Sequence, residues 1–277
     1  MTDGLLAVHT MRHAGGRGAQ VPLVLLHGFP VDSRMWEDVV AHLPGDHAVL
    51  AVDLPGFGSS PDAEDLADGN GDAPSAPSLE VAADAAAAAV RAQGIERAVV
   101  AGLSMGGYVA MGLLERHPGL VAGLALLDTK STADDAAAVA NRLRVAETVL
   151  REGSVDAVRP MNVGLLGETS RATRSLVADA IGRWIDAQSP RAVAWAQRAM
   201  AARPDRTAVL LAYRGPSLVI VGEEDVLSPI ESARHLHEAL AGSALVVVAR
   251  AGHMTSNEAP EAVAAALAVL MARVGGV

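Results

Sequence analysis

The sequence predicts an α/β fold, with a mostly parallel central sheet flanked by helices and a helical cap inserted between two strands. Three observations predict it. Short aliphatic runs alternate with helical patterns along the chain, the order that a parallel sheet with crossover helices requires. The later runs are continuously apolar, as strands covered on both faces are. One stretch, 132–206, contains no strand-like run.

The aliphatic runs lie at 5–11, 21–28, 47–54, 97–104, 120–128, 217–225 and 244–253. Between them, a helix over 34–43 follows Ser33 as N-cap, and one over 79–93 runs from the cap Ser78 to the stop signal Gly94. Residues 105–117 form a helix ended by Pro118. Ser228, Pro229 and Glu231 supply a cap, a first-turn proline and a capping-box partner for 229–241, and a last helix covers 259–273. The stretch 57–77, rich in Asp, Gly, Pro, Ala and Ser, reads as a long acidic surface loop. Residues 132–206 read as helices broken at Gly153, Pro160, Gly164–Gly167 and Pro190. The expected division is therefore a core of 1–131 and 207–277 and a cap of 132–206, with Trp184, Trp195, Met161 and Met200 on the inner face of the cap.

Composition bounds the function. Apolar residues make up 51% of 277, enough for a sizeable core. The charge is −10, from 22 basic and 32 acidic residues, which repels phosphate backbones and argues against a nucleic-acid partner. With no cysteine, disulfides, thiolate nucleophiles and Cys-ligated zinc are excluded. The start of the chain shows no leader pattern, and the most apolar pieces fall short of the ~20 residues of a spanning helix. A cytoplasmic protein with no membrane partner is expected, as monomer or homodimer. No G-x-G-x-x-G follows a strand, and neither a P-loop nor H-E-x-x-H occurs. His235 and His237 stand two apart and do not share a helix face, so neither cofactor nor metal is expected.

The sharpest chemical signal is Gly102-Leu103-Ser104-Met105-Gly106-Gly107, between the strand AVVA and the helix YVAMGLLERH. Such a turn holds a serine at strained dihedrals above the carboxyl end of the sheet, with small residues on either side so that backbones can pass. A serine hydroxyl needs a base, and the base needs an acid to orient it. Of nine histidines, His253 follows a strand at the same sheet end. Asp225 follows another, beside Glu223 and Glu224, and Asp128, at the end of LALLD, is its rival. The backbone N–H of Met105, next after the nucleophile, and that of Phe29, in the turn His27-Gly28-Phe29-Pro30, are the expected oxyanion donors.

HGFP at 27–30, DLPGFGSS at 53–60, GLSMGG at 102–107, VGEEDVLSP at 221–229 and AGHM at 251–254 resemble the α/β-hydrolase superfamily. The resemblance covers nearly the whole chain. It points to the branch with 3-oxoadipate enol-lactonases, small-ester carboxylesterases and cofactor-free haloperoxidase-like esterases. It implies the order Ser104, Asp225, His253 for a triad, and a cap where the helical insert lies. Dehalogenases and epoxide hydrolases of the superfamily carry aspartate at the position of Ser104, which argues against both activities.

The expected reaction is cleavage of a small or medium carboxylic ester or lactone through an acyl-enzyme on Ser104. His27, Gly28, Phe29, Trp36, Met105, Trp184, Trp195 and Met254 are candidates to line the pocket. An anionic substrate would need a cationic clamp, for which Arg34, Lys130, Arg142 and Arg144 are candidates. Two other readings stay open: a lyase or cyclase of a biosynthetic pathway on the same scaffold, and a non-catalytic small-molecule binding protein.

Overall fold

Each of the seven aliphatic runs forms a strand in the computed structural model, the first running one residue past its expected end to Arg12; the structure describes residues 4–15, 20–66 and 76–275. In chain order the elements are β1 (Val8–Arg12), β2 (Leu23–Leu26), α1 (Glu37–His42), β3 (Val49–Val52), α2 (Leu79–Ala92), β4 (Ala98–Leu103), α3 (Met105–Arg116) and β5 (Val121–Leu127). Six helices follow before the next strand: α4 (Ala136–Glu152), α5 (Met161–Gly164), α6 (Glu168–Thr173), α7 (Ser175–Asp186), α8 (Pro190–Ala201) and α9 (Thr207–Ala212). The chain closes with β6 (Ser217–Gly222), α10 (Ile230–Ala239), β7 (Ala244–Val248), α11 (Thr255–Glu258) and α12 (Pro260–Gly275).

The strand order is β1-β3-β2-β4-β5-β6-β7. β1 is antiparallel to β3 and every other pair is parallel. Every residue of β2 through β6 is buried, so side chains on both faces leave water. That is why these runs are aliphatic throughout rather than alternating. α1 packs with α12, which also meets β5 and β6, while α2 packs on α3 and α3 on β4. β7 departs from the expectation for continuously apolar runs. It is the edge strand, and Val247 is 45% exposed.

Local signals act where the physics is local. Ser78 accepts a hydrogen bond from Glu80 N–H at the start of α2, and Gly94 leaves that helix at a φ of 75°. Two expected caps shift. Asp32, not Ser33, caps the turn before α1, accepting from Arg34 N–H. Ser228 does not cap α10: Pro229 takes the cap position, and the Ser228 N–H donates to Asp225 Oδ1 at 3.0 Å. Of the acidic stretch, 67–75 lies outside the described residues. Its near end is anchored rather than free, since Phe57, Ala63 and Leu66 are buried.

The helices between β5 and β6 continue to Ala212, past the expected boundary at 206. Within this cap α4 lies along α8, and α7 packs on α5 and α6. It docks through polar groups: Gln188 Nε2 donates to Asp32 Oδ2 at 2.7 Å, and Thr169 N–H to Glu224 Oε2 at 2.8 Å. Among the described residues no helix is long and apolar enough to cross a membrane.

Candidate active site

The carboxyl ends of β2, β4, β5, β6 and β7 deliver the candidate residues to one edge of the sheet, where ligands of open parallel sheets bind. Ser104 sits between β4 and α3 at φ 52° and ψ −112°. A non-glycine residue in this region costs about 1–3 kcal/mol, and the surroundings must hold it there. They do so through the backbone. Ser104 N–H donates to Leu127 O at 2.9 Å, and its carbonyl accepts from Gly107 N–H and Thr129 Oγ1, each at 2.9 Å. A Cβ on Gly102 would lie 2.1 Å from Gly106 O, and one on Gly106 would lie 2.2 Å from Leu26 O. The turn is thus closed to side chains on both sides. The Ser104 hydroxyl makes no capping bond to α3, which leaves it available to the cavity it lines.

His253 lines the same cavity and is 5% exposed. Its Nδ1 bonds Asp225 Oδ2 at 2.8 Å. Asp225 Oδ1 is held in turn by Leu227 N–H at 2.8 Å and Ser228 N–H at 3.0 Å. No hydrogen bond joins the Ser104 hydroxyl to His253, although both line the cavity. Asp128 does not reach His253. It is fully buried, accepting from Gly222 N–H at 2.9 Å and from Thr255 Oγ1. Burial, reinforced by the nearby Asp225 charge, pushes the Asp128 carboxyl well above the usual carboxylate range.

The amides of Phe29 and Met105 have no hydrogen-bond partner among the described residues, and both residues are buried. Buried N–H groups without partners are rare. Phe29 lines the cavity, and Met105 opens α3, whose N-terminus favours negative charge. His27 stands apart from the cavity as a strut. Its Nε2 accepts from Leu54 N–H at 2.9 Å and its Nδ1 lies 2.9 Å from Gly28 O. These bonds need the neutral ring, and burial lowers its pKa accordingly. Gly28 lies behind the site, where a Cβ would meet Leu103 Cδ2 at 3.0 Å.

The cavity measures about 430 Å³. Its wall differs from the expected one. Met161 and Met200 line it, but Trp36, Met105, Trp184, Trp195 and Met254 do not. Trp36 and Met254 are wholly buried in the core. Trp184 sits on α7, which packs on α5 and α6. On α8, Gln197 and Met200 face the cavity. Trp195, two positions before Gln197, points about 200° away at the helical period and lines a depression with Leu150 and Arg198.

Tyr108 and Glu258 are among the residues that the sequence reading does not single out. Tyr108 lines the cavity. Its spacing, four after Ser104 in a helix, was a readable signal. Glu258 is 3% exposed. Its Oε1 accepts from Gly252 N–H at 2.9 Å and Met254 N–H at 3.1 Å, and its Oε2 from Gly167 N–H at 2.9 Å. One carboxylate thereby holds both neighbours of His253 and a residue of the cap. His253 N–H itself donates to Leu165 O at 3.0 Å. Among the described residues no group of three or more His, Cys, Asp or Glu is placed to hold a metal ion.

The alpha/beta hydrolase fold family matches residues 21–260. A pimeloyl-[acyl-carrier protein] methyl ester esterase from a serogroup C strain of Neisseria meningitidis is 31% identical, over 87% of this chain and 90% of its own length. A 2-succinyl-6-hydroxy-2,4-cyclohexadiene-1-carboxylate synthase from an Enterobacter species is also 31% identical, over 90% of this chain and 91% of its own. A thermophilic esterase from Thermogutta terrifontis, solved with malate bound, superposes with a TM-score of 0.87 at 34% identity, covering 98% of this chain and 94% of that one. With sheet order, cap position and sequence similarity in agreement across most of its length, the chain belongs to the alpha/beta hydrolase fold family.

Proposed function

We propose that the protein is a serine hydrolase of small or medium carboxylic esters or lactones, acting through an acyl-enzyme on Ser104. The observation that carries this reading is the uncapped hydroxyl of Ser104, held at strained dihedrals in the same cavity as a histidine bonded to a buried aspartate. His253 takes the Ser104 proton as the oxygen attacks the carbonyl, and the amides of Phe29 and Met105 receive the oxyanion. The imidazolium protonates the leaving alkoxide. A water deprotonated by His253 then attacks the acyl carbon and returns Ser104 with a free carboxylic acid. Asp225 fixes the tautomer with the proton on Nδ1 and supports the imidazolium charge. The helices of 132–206 form the cap over this site and contribute its outer wall. The substrate is a small molecule, and both esterases among the relatives fit this chemistry.

Turnover of p-nitrophenyl acetate and butyrate tests the reading. Ser104→Ala is expected to lower kcat by at least about a thousandfold with the fold intact. Activity that survives this change sinks the assignment of the nucleophile. Asp225→Asn is expected to lower kcat by about a hundredfold or more, and Asp128→Asn far less. The reverse order would make Asp128 the partner of His253.

One observation favours a second reading. The synthase is as similar to this chain as the meningococcal esterase is, at 31% identity each, so a non-hydrolytic lyase or cyclase reaction at the same site, without an acyl-enzyme, stands as the alternative. Trapping of an acyl group on Ser104 by mass spectrometry after a rapid quench separates the two.

A further inference from the structure

Three cationic side chains line the Ser104 cavity, Lys130, Arg142 and Arg144, and no carboxylate among the described residues does. The molecule as a whole carries −10, so this wall has the opposite sign to the rest of the protein. Arg34, the other candidate for a clamp, lies elsewhere, bonded to Asp32 at 2.6 and 2.8 Å in a separate surface pocket.

The charges are arranged behind the wall as well as on it. Asp134, with its side chain 1% exposed, receives Arg142 Nε at 2.6 Å and Arg203 Nη1 and Nη2 at 2.7 and 2.8 Å, and Lys130 Nζ lies 3.2 Å away. Burial opposes ionisation of Asp134, but the bonds from Arg203 and Arg142 outweigh it and hold this carboxyl far below the usual range. It therefore counts as one full negative charge against three cations, and Arg144 adds a fourth. Arg203 is buried and stacks on the Tyr108 ring at 4.2 Å, serving as backing rather than wall. Arg142 Nη1 donates to Gln197 Oε1 at 3.1 Å, and Nη2 has no partner among the described residues. A purely apolar ligand would strip water from these donors without replacing it. A carboxylate would replace it with charge-assisted hydrogen bonds.

We propose that the substrate is an ester or lactone bearing a free carboxylate away from the reacting carbonyl, and that Lys130 and Arg142 bind that carboxylate, with Arg144 drawing it in. This assignment of substrate class rests on the acyl-transfer reading of Ser104. Two cations on the wall of a cavity of about 430 Å³ select by charge and by the distance from carboxylate to ester.

The test compares methyl esters matched in chain length: monomethyl succinate with methyl butyrate, monomethyl glutarate with methyl pentanoate, and monomethyl adipate with methyl hexanoate. At the preferred length kcat/KM for the anionic ester should exceed that of its neutral partner by at least about tenfold, the size of one charge-assisted hydrogen bond. The advantage should shrink as salt is raised. Arg142→Gln and Lys130→Gln should each lower the anionic-to-neutral ratio by about fivefold or more. Lys130→Gln keeps the test alive if Arg142→Gln disturbs the Asp134 cluster and fails to fold. Equal or better turnover of the neutral esters at every length, or ratios indifferent to both substitutions, overturns the proposal. Calorimetric titration of succinate, glutarate and adipate into wild type and Lys130→Gln needs no chemistry. Binding weakened by the substitution, without turnover of any ester, supports the carboxylate site and sinks the acyl-transfer reading instead. Absence of dicarboxylate binding together with neutral-ester turnover sinks the carboxylate site alone.

Discussion

Asp128 and Asp225 end neighbouring strands with opposite environments. Asp225 has His253 and two backbone amides around its oxygens. Asp128 has the amides of Gly222 and Thr255, the Thr255 hydroxyl and no cation, so these bonds do not outweigh its burial and the Asp225 charge, and its pKa is raised well above the usual range. The folded protein therefore keeps a proton that the unfolded chain releases above about pH 4. The stability this proton contributes is complete below that value and is lost as the pH rises towards the folded pKa. Asp128→Asn has no proton to lose. Urea unfolding at pH 5 and pH 8 should show the variant gaining on the wild type, by up to about 1.4 kcal/mol for each pH unit between the two pKa values. A constant difference would mean that Asp128 is charged in the fold. The chain position of these two residues was readable as strand-end acids. The order Ser104, Asp225, His253 already favoured Asp225 in the sequence, and the contact itself is made by the approach of two loops 28 residues apart.

At the scale of elements, the junction of β4 and α3 is the most locally determined part of the molecule. The turn works because carbonyls pass within reach of Cβ positions that glycine leaves empty at 102 and 106. Gly106→Ala should therefore cost about 2–3 kcal/mol as overpacking against β2, seen as a lower denaturation midpoint. A loss below half of that would show that the backbone gives way cheaply. The same close approach is why this element was legible from a six-residue pattern between an aliphatic run and a helical one. α8 was legible only in part. Its helical period and cap Ser189 are local, but which face meets the cavity is set by α4 lying along it, so Trp195 and Gln197 could not be told apart by type. β7 shows the same limit, since an aliphatic run does not say whether a sheet continues beyond it.

At the scale of the molecule, cap and core are joined beside His253 by a buried polar turn. All four residues of α11 are buried. Thr255 reaches Asp128, Asn257 Nδ2 donates to Met35 O at 3.1 Å, and Glu258 ties Gly252 and Met254 to Gly167 of the cap. Glu258→Ala leaves three amide N–H groups without acceptors, each worth about 1–3 kcal/mol when buried. Glu258→Gln keeps one acceptor oxygen and should lose markedly less. Chemical unfolding of both variants, with amide exchange at Gly167, Gly252 and Met254, should show this order and faster exchange in the alanine variant. Equal stability of the two would mean that water replaces the carboxylate.

What the sequence by itself determined is the succession of strands and helices, the parallel sheet, the presence of a helical insert and the glycine-framed turn at Ser104. Each follows from periodicity and from backbone sterics within a few residues. What only the tertiary structure decided is the identity of the cavity wall, the burial of Asp128 against Gly222 and Thr255, the edge position of β7 and the sign of the charge facing Ser104. Those depend on which distant segments come within about 3 Å of each other, and burial then sets the strength of every charge and hydrogen bond that results.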